Sequence, residues 1–294
     1  MVGSPSRCSV RSQIRSVAPS VWVLALGFAL PIESLRAQES SDGPQPPPMA
    51  AAPAPLVAHK SDDAVDITMD GRIEEAVWQA ATPITDFTQQ EPVEGGEPSE
   101  RTEIRVVFDE DNLYIGAIIY DDPDGILAFQ RERDAGLGTD DRFMWILDTF
   151  QDGRTGYFFE INAAGLMGDG VISSGGRGGG GGRGGGGGGG GTNKAWDGIW
   201  EARTHLRPDG WSAEIQIPFR TLNFNPGQSE WGINFQRTIR RKNEEILWRG
   251  YLRNQGLRNP VFAGRLTGLS GLSQGIGLEA VPSSVVSWRN IPGN

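Results

Sequence analysis

Alternation of apolar and polar positions with period two dominates the chain and predicts short β-strands. It is sharpest at residues 140–162, where Phe143–Thr149 and Gly156–Asn162 read as two strands joined by a turn at Asp152-Gly153. Phe143, Trp145 and Leu147 would point one way, and Met144, Ile146 and Asp148 the other. Both faces are largely apolar, which places this pair inside a sandwich rather than at a solvated edge. Thr102–Asp109 and Leu113–Tyr120 form a second hairpin around the polar turn Asp109–Asn112.

The same pattern predicts strands at Val65–Met69, Ile84–Gln90, Leu166–Ile172, Trp196–Leu206, Gly210–Pro218, Trp231–Arg240, Glu245–Tyr251 and Arg265–Leu272. In Gly210–Pro218, Trp211, Ala213, Ile215 and Ile217 make an apolar face opposite Glu214 and Gln216. One short helix is expected where Ile73, Ala76, Val77 and Ala80 follow helical spacing, with Trp78 at its side. Many short strands with one short helix make an all-β protein, an antiparallel β-sandwich.

Composition changes that picture mainly at the ends. Arg7, Arg11 and Arg15 precede the apolar run Val21–Leu30, and Ala37 is a small residue suited to cleavage, so residues 1–37 read as a signal peptide. The apolar run is shorter than the ~20 residues of a membrane span. Removing four arginines and Glu33 with that segment takes the formal charge from −10 to −13, and the single cysteine, Cys8, goes too. The mature chain would be exported, acidic and without disulfides. Such a charge excludes nucleic acid as a partner.

Residues 38–61 read as an extended Pro/Ala-rich linker that buries no core, and 62–273 as the folded domain. Within it, residues 175–191 are glycine apart from Arg177 and Arg183, which predicts a disordered insertion. Residues 274–294 alternate weakly, as a transmembrane barrel strand would.

Several segments in one order resemble a known family. They are Ile67–Gly71 with Trp78, Thr102–Val106, Asp111–Tyr114, Asp140–Phe143 and Phe159–Asn162. Together they resemble the carbohydrate-binding family 9-like domain. Trp196–Gly198, Gly210-Trp211, Ala213–Ile215, Ile217–Phe219 and Trp231–Phe235 are similar to the subgroup that precedes a DUF5916 region, an outer-membrane barrel-like segment. The resemblance spans about Val65 to Leu272. It implies a jelly-roll-like sandwich, a carbohydrate ligand, for some members association with glycoside hydrolysis, and a barrel in cis. It also implies a home in the periplasm, outer membrane or cell surface of a Gram-negative-type bacterium. The polyglycine run departs from the family, and the chain stops where the barrel would begin, as a truncated product would.

Trp196 and Trp200 flank Asp197 beside the glycine-rich loop and are the candidate sugar platforms, because an indole offers a broad apolar face and one N–H donor. Asp197, Asn162 and Arg154 are the candidate partners for sugar hydroxyls. Trp211 and Trp231 are expected in the core. Asp134, Asp140 and Asp141 are the candidate Ca2+ ligands, although no spacing matches an EF-hand loop, and ion pairing with Arg131 and Arg133 competes with that role. No other cofactor is implied. Only His59 and His205 are present, no phosphate loop occurs, and with 37 acidic residues no glycosidase pair can be singled out, so no catalytic residue is assigned.

Overall fold

The computed structural model describes residues 53–61, 67–173 and 191–273. The expectations for the signal peptide, for the linker up to residue 52, for most of the glycine run and for residues 274–294 lie outside these.

Two sheets face each other. The strands in chain order are β1 Leu56–Val57, β2 His59–Lys60, β3 Thr88–Glu91, β4 Thr102–Phe108, β5 Asn112–Tyr120, β6 Arg142–Asp148 and β7 Thr155–Asn162. They continue as β8 Met167–Ser173, β9 Gly191–Asn193, β10 Glu201–Arg207, β11 Gly210–Pro218, β12 Trp231–Ile239, β13 Glu244–Leu247 and β14 Gly264–Thr267. Nine strands form one sheet along the path β1-β14-β12-β6-β7-β8-β9, with β13 on β12 and β3 on β13. Five form the other, in the order β10-β11-β5-β4-β2.

The β6–β7 pair lies where its two apolar faces predict. Phe143, Trp145 and Leu147 join the core between the sheets, and Trp145 stacks on Phe159 at 5.3 Å. Met144 and Ile146 face outward but are buried in a second cluster with Phe158, Ile172, Leu247 and Leu257. The turn is fixed by carboxylates: Asp148 accepts from Gly153 N at 2.9 Å, and Asp152 from Arg154 N and Thr155 N. In β11 the four inward residues, Trp211, Ala213, Ile215 and Ile217, are all buried, as is Trp231 at the head of β12.

A buried ion pair bolts the sheets together. Arg237 on β12 reaches the end of β5, donating to Tyr120 O at 2.8 Å and to Asp121 Oδ2 at 2.6 Å. Arg241 also meets Asp121. Removing one member of such a pair would strand the other charge in the interior.

Several expected boundaries shift: the strands expected at Ile84–Gln90, Glu245–Tyr251 and Arg265–Leu272 are the shorter β3, β13 and β14, and further differences follow from long-range packing. The end of the linker is not free: β1 pairs in parallel with β14 and β2 with β4, and Leu56 and Ala58 enter the core. The strand expected at Val65–Met69 is irregular over its described residues 67–69. Strand structure starts at Glu201 rather than Trp196, because residues 194–200 cross from one sheet to the other. The helix, α1 Ala76–Ala80, is present, but Trp78 is its one buried residue instead of standing at its side.

Trp78 is buried because residues 67–81 lie across the outer face of the five-stranded sheet, in a third cluster with Ile73, Ala81, Val107 and Tyr114. The sheet makes room through Gly116 of β5, where a Cβ would come within 2.8 Å of the Trp78 ring.

Candidate functional site

The tryptophan pair expected to stack on sugar closes the open edge of the sandwich. Trp200 is 7 % exposed, donates Nε1–H to Asp169 Oδ2 at 2.7 Å, and stands edge-on to Trp145 and Phe159. Trp196 is half-buried against Tyr157 at 5.0 Å. Asp197 is exposed but tied to Arg133 at 2.6 Å, and the same guanidinium meets Asp169 at 2.5 Å. Burial pushes the Asp169 carboxyl up, against the Trp200 bond and the nearby Arg133 charge.

Asn162 and Arg154 do not join this group. They sit near opposite ends of β7, some eight residues apart, which is about 27 Å at strand rise. Asn162 is fully buried: its Nδ2 donates to Gln130 O and Asp140 Oδ2, and its Oδ1 accepts from Ala164 N and Leu166 N. No hydrogen-bonding capacity of that side chain faces a ligand.

The three aspartates offered to Ca2+ do not form a cation cage, and among the described residues no group of three metal-ligating side chains occurs. Asp140 Oδ2 accepts from Phe129 N, Gln130 N and Asn162 Nδ2, while Thr139 donates to Oδ1. Burial alone would raise this carboxyl, but those donors outweigh it and hold it below the ordinary carboxylate range. Asp141 accepts from Leu127 N and Arg240 N, with burial pushing it upward. Asp134 belongs elsewhere, beside Arg133 and the Asp169 amide. These carboxylates pin the 127–134 loop through N–H donors. The expected ion pairing is present at Arg133, whereas Arg131 bonds backbone carbonyls instead.

What the fold does open is a cleft of about 590 Å³ at one end of the five-stranded sheet. It is lined by Asp111 and Asn112 from the β4–β5 turn, Ile199, Trp200 and Glu201 at the start of β10, and Gln216, Pro218 and Arg220 at the end of β11. The strand registers bring them together, since Glu201 pairs with Gln216, Gln216 with Tyr114, and Pro218 with Asn112.

Tyr114 sets the orientation of two of these side chains. Its hydroxyl donates to Asp109 Oδ2 at 3.0 Å, so its lone pairs are left to accept. Asn112 Nδ2 donates to it at 3.2 Å and Gln216 Nε2 at 3.5 Å. Burial, then the adjacent Asp109 charge, raises the phenol and keeps that proton in place. The amide oxygens of Asn112 and Gln216 therefore have no partner among the described residues, and the Asp111 carboxylate and the Arg220 guanidinium have none either. Glu201 is paired with Arg203 at 2.5 Å. Ile199, 57 % exposed, adds an apolar wall, and Trp200 contributes its edge.

The cleft was hidden in the sequence except for Trp200. The Asp109–Asn112 stretch reads there only as a turn, and Gln216 only as an outward residue. The one available signal was that Gln216 and Asn112 flank apolar strands on their polar side; their meeting depends on the register between β5 and β11, which are some hundred residues apart.

No protein-family model matches the sequence, and neither does any curated protein. Solved structures do match in fold. A carbohydrate-binding module of family 9 from Caldicellulosiruptor kristjanssonii, in complex with glucose, aligns over 75 % of this chain and 98 % of its own, with TM-score 0.50 and 16 % identity. A Bacteroides uniformis protein provisionally described as carbohydrate-binding aligns over 72 % of this chain and 97 % of its own, with TM-score 0.53 and 13 % identity. The chain has a family 9-like β-sandwich fold: the sandwich is what its strand pattern predicts, and the family 9-like form is what the resemblance in motif order implies.

Proposed function

We propose that this chain is an exported carbohydrate-binding module without catalytic activity, and that it holds its sugar in the cleft walled by Asp111, Asn112, Ile199, Gln216 and Arg220. One observation carries the reading. On a sandwich shared with a module that holds glucose, the cleft gathers unengaged amide oxygens, a carboxylate and a guanidinium beside apolar surface. A sugar ring demands that combination, because its hydroxyls each need a partner while its C–H faces need an apolar wall. Trp200 stays in the site as part of its wall. The basic and apolar N-terminal segment supports export, and the resemblance in motif order supports an outer-membrane barrel region as its partner in cis.

Calorimetric titration of the full chain with a panel of neutral oligosaccharides tests the reading. Saturable binding of one glycan class, weakened at least about tenfold by Gln216→Ala and by Arg220→Ala, is expected, the loss that ~1.4 kcal/mol produces. Binding lost in Trp196→Ala but intact in both cleft variants would move the site to the crossover segment. No binding to any glycan by a folded chain would end the proposal.

A further inference from the structure

Resting on that reading, we infer that Asp109 and Tyr114, neither of which lines the cleft, are the positioning residues for sugar binding. Asp109 shapes the turn that carries two wall residues. Its Oδ1 accepts from Asp111 N at 2.8 Å and Asn112 N at 2.7 Å, and its Oδ2 takes the Tyr114 proton at 3.0 Å. Asp109 N closes the same turn on Asn112 O at 3.1 Å. The turn also holds the opposite wall. Asp111 O accepts from Phe219 N at 2.8 Å, and Phe219 begins the short 3-10 turn Phe219–Thr221 that carries Arg220.

Tyr114 then fixes the two amides of the wall. A carboxylate has no proton to give, so the Tyr114 hydroxyl donates to Asp109 and keeps two lone pairs. Asn112 Nδ2 at 3.2 Å and Gln216 Nε2 at 3.5 Å fill both. Reversing either amide would set a carbonyl against an oxygen whose one proton is already committed. The shared oxygen stands on a ring buried with Ile73 and Trp78, and Gln216 faces Tyr114 in the register of β11 on β5.

Each amide is thus held by one N–H and keeps its second N–H and its carbonyl for the cleft. A donor beside an acceptor fits a pair of neighbouring sugar hydroxyls, each of which both donates and accepts. An amide free to turn would have to be ordered when the sugar arrives, and that lost rotamer freedom weakens affinity. The hydroxyl itself does little for the fold by comparison. Without it the ring stays in its cluster, and Asp109 still accepts from Asp111 N and Asn112 N.

The test is calorimetric titration of the full chain and its variants, with the tightest-bound member of the neutral oligosaccharide panel as the probe. Tyr114→Phe deletes the hydroxyl alone and should weaken binding at least about threefold, the scale of one neutral hydrogen bond. A double-mutant cycle separates positioning from a role in the fold. In the Tyr114→Phe background the loss caused by Gln216→Ala should shrink at least about threefold, because an amide without its anchor has less to lose. A hydroxyl that served only the fold would leave the two losses independent. Should Tyr114→Phe fail to fold, Asp109→Asn carries the same test. Its side-chain oxygen can still cap the turn, while its NH2 faces the Tyr114 oxygen and sends the hydroxyl proton toward an amide, so the same threefold loss and the same shrinkage are expected. A smaller loss, or a smaller change in the effect of Gln216→Ala, would overturn the inference and leave the sugar site standing. Failure of every glycan to bind the unaltered chain would overturn both.

Discussion

Glu214 and Gln216 stand two residues apart on the same face of β11, and the molecule treats them in opposite ways. Glu214 is sealed. Its Oε2 accepts from Asp70 N at 2.9 Å and Gly71 N at 2.8 Å, and its Oε1 from the Trp78 indole at 3.2 Å. Gln216 is open, with one end on Tyr114 and the other facing the cleft. Nothing in the local pattern of β11 separates them. The boundary is set by a remote segment, residues 67–81, which covers one half of the outer face and stops short of the other. A polar residue on a strand face becomes structural or ligand-facing according to what a distant part of the chain lays over it.

Removing the cover should break the contrast most severely. Trp78→Ala empties the third cluster and leaves Glu214 Oε1 without its donor, so a loss of ~3–5 kcal/mol is expected in urea unfolding. A loss below about 1 kcal/mol would mean that the segment contributes little to the fold.

A proton should sharpen the contrast next. Burial pushes the Glu214 carboxyl up from 4.5 to about 7, with the nearby Glu75 charge adding to the rise and the three N–H donors opposing it. Between pH 4.5 and 7 the folded chain holds a proton that the unfolded chain has released. This group's contribution is therefore fully present below about pH 4.5 and is lost as pH rises to about 7. The change amounts to ~3 kcal/mol. Denaturant midpoints measured across this range should fall with pH for the natural chain, and the Glu214→Gln variant should lack that component. Identical pH profiles for the two proteins would refute the assignment.

Smaller still is the effect of crowding the cover. Gly116→Ala sets a methyl group against the Trp78 ring and should cost ~1–3 kcal/mol, read from thermal unfolding, while leaving the cleft two strand positions away able to bind. At the open end the balance reverses. Gln216→Ala should shift stability by no more than ~0.5 kcal/mol while weakening glycan binding. A destabilisation comparable with that of Gly116→Ala would show that Gln216 is structural after all.

The sequence displays its strands clearly, because period-two alternation is written locally. The β4–β5 and β6–β7 hairpins, the inward face of β11 and the core positions of Trp211 and Trp231 all follow from it. The site was harder to see because it is built by registers between distant strands. Trp200 looks like a surface indole beside a glycine-rich loop until Asp169, 31 residues earlier, receives its N–H. Asn162 looks available until the Asp140 carboxylate and the Gln130 carbonyl occupy its amide. The prolines before Leu56 conceal that the next five residues pair with two different sheets.

Those five residues also determine how the sandwich would bear tension. Leu56 and Val57 run parallel to Leu266 and Thr267, tied by Ala58 N to Thr267 O at 2.9 Å, and His59 and Lys60 then continue alongside Val107 and Phe108 in the opposite sheet. A pull toward the N-terminus on the chain before Leu56, resisted from beyond Thr267, would slide parallel neighbours past each other. Their hydrogen bonds would be strained together instead of opening in turn like a zipper. The entering strand would act as a clasp across both sheets, and single-molecule pulling should register its failure as the first rupture event.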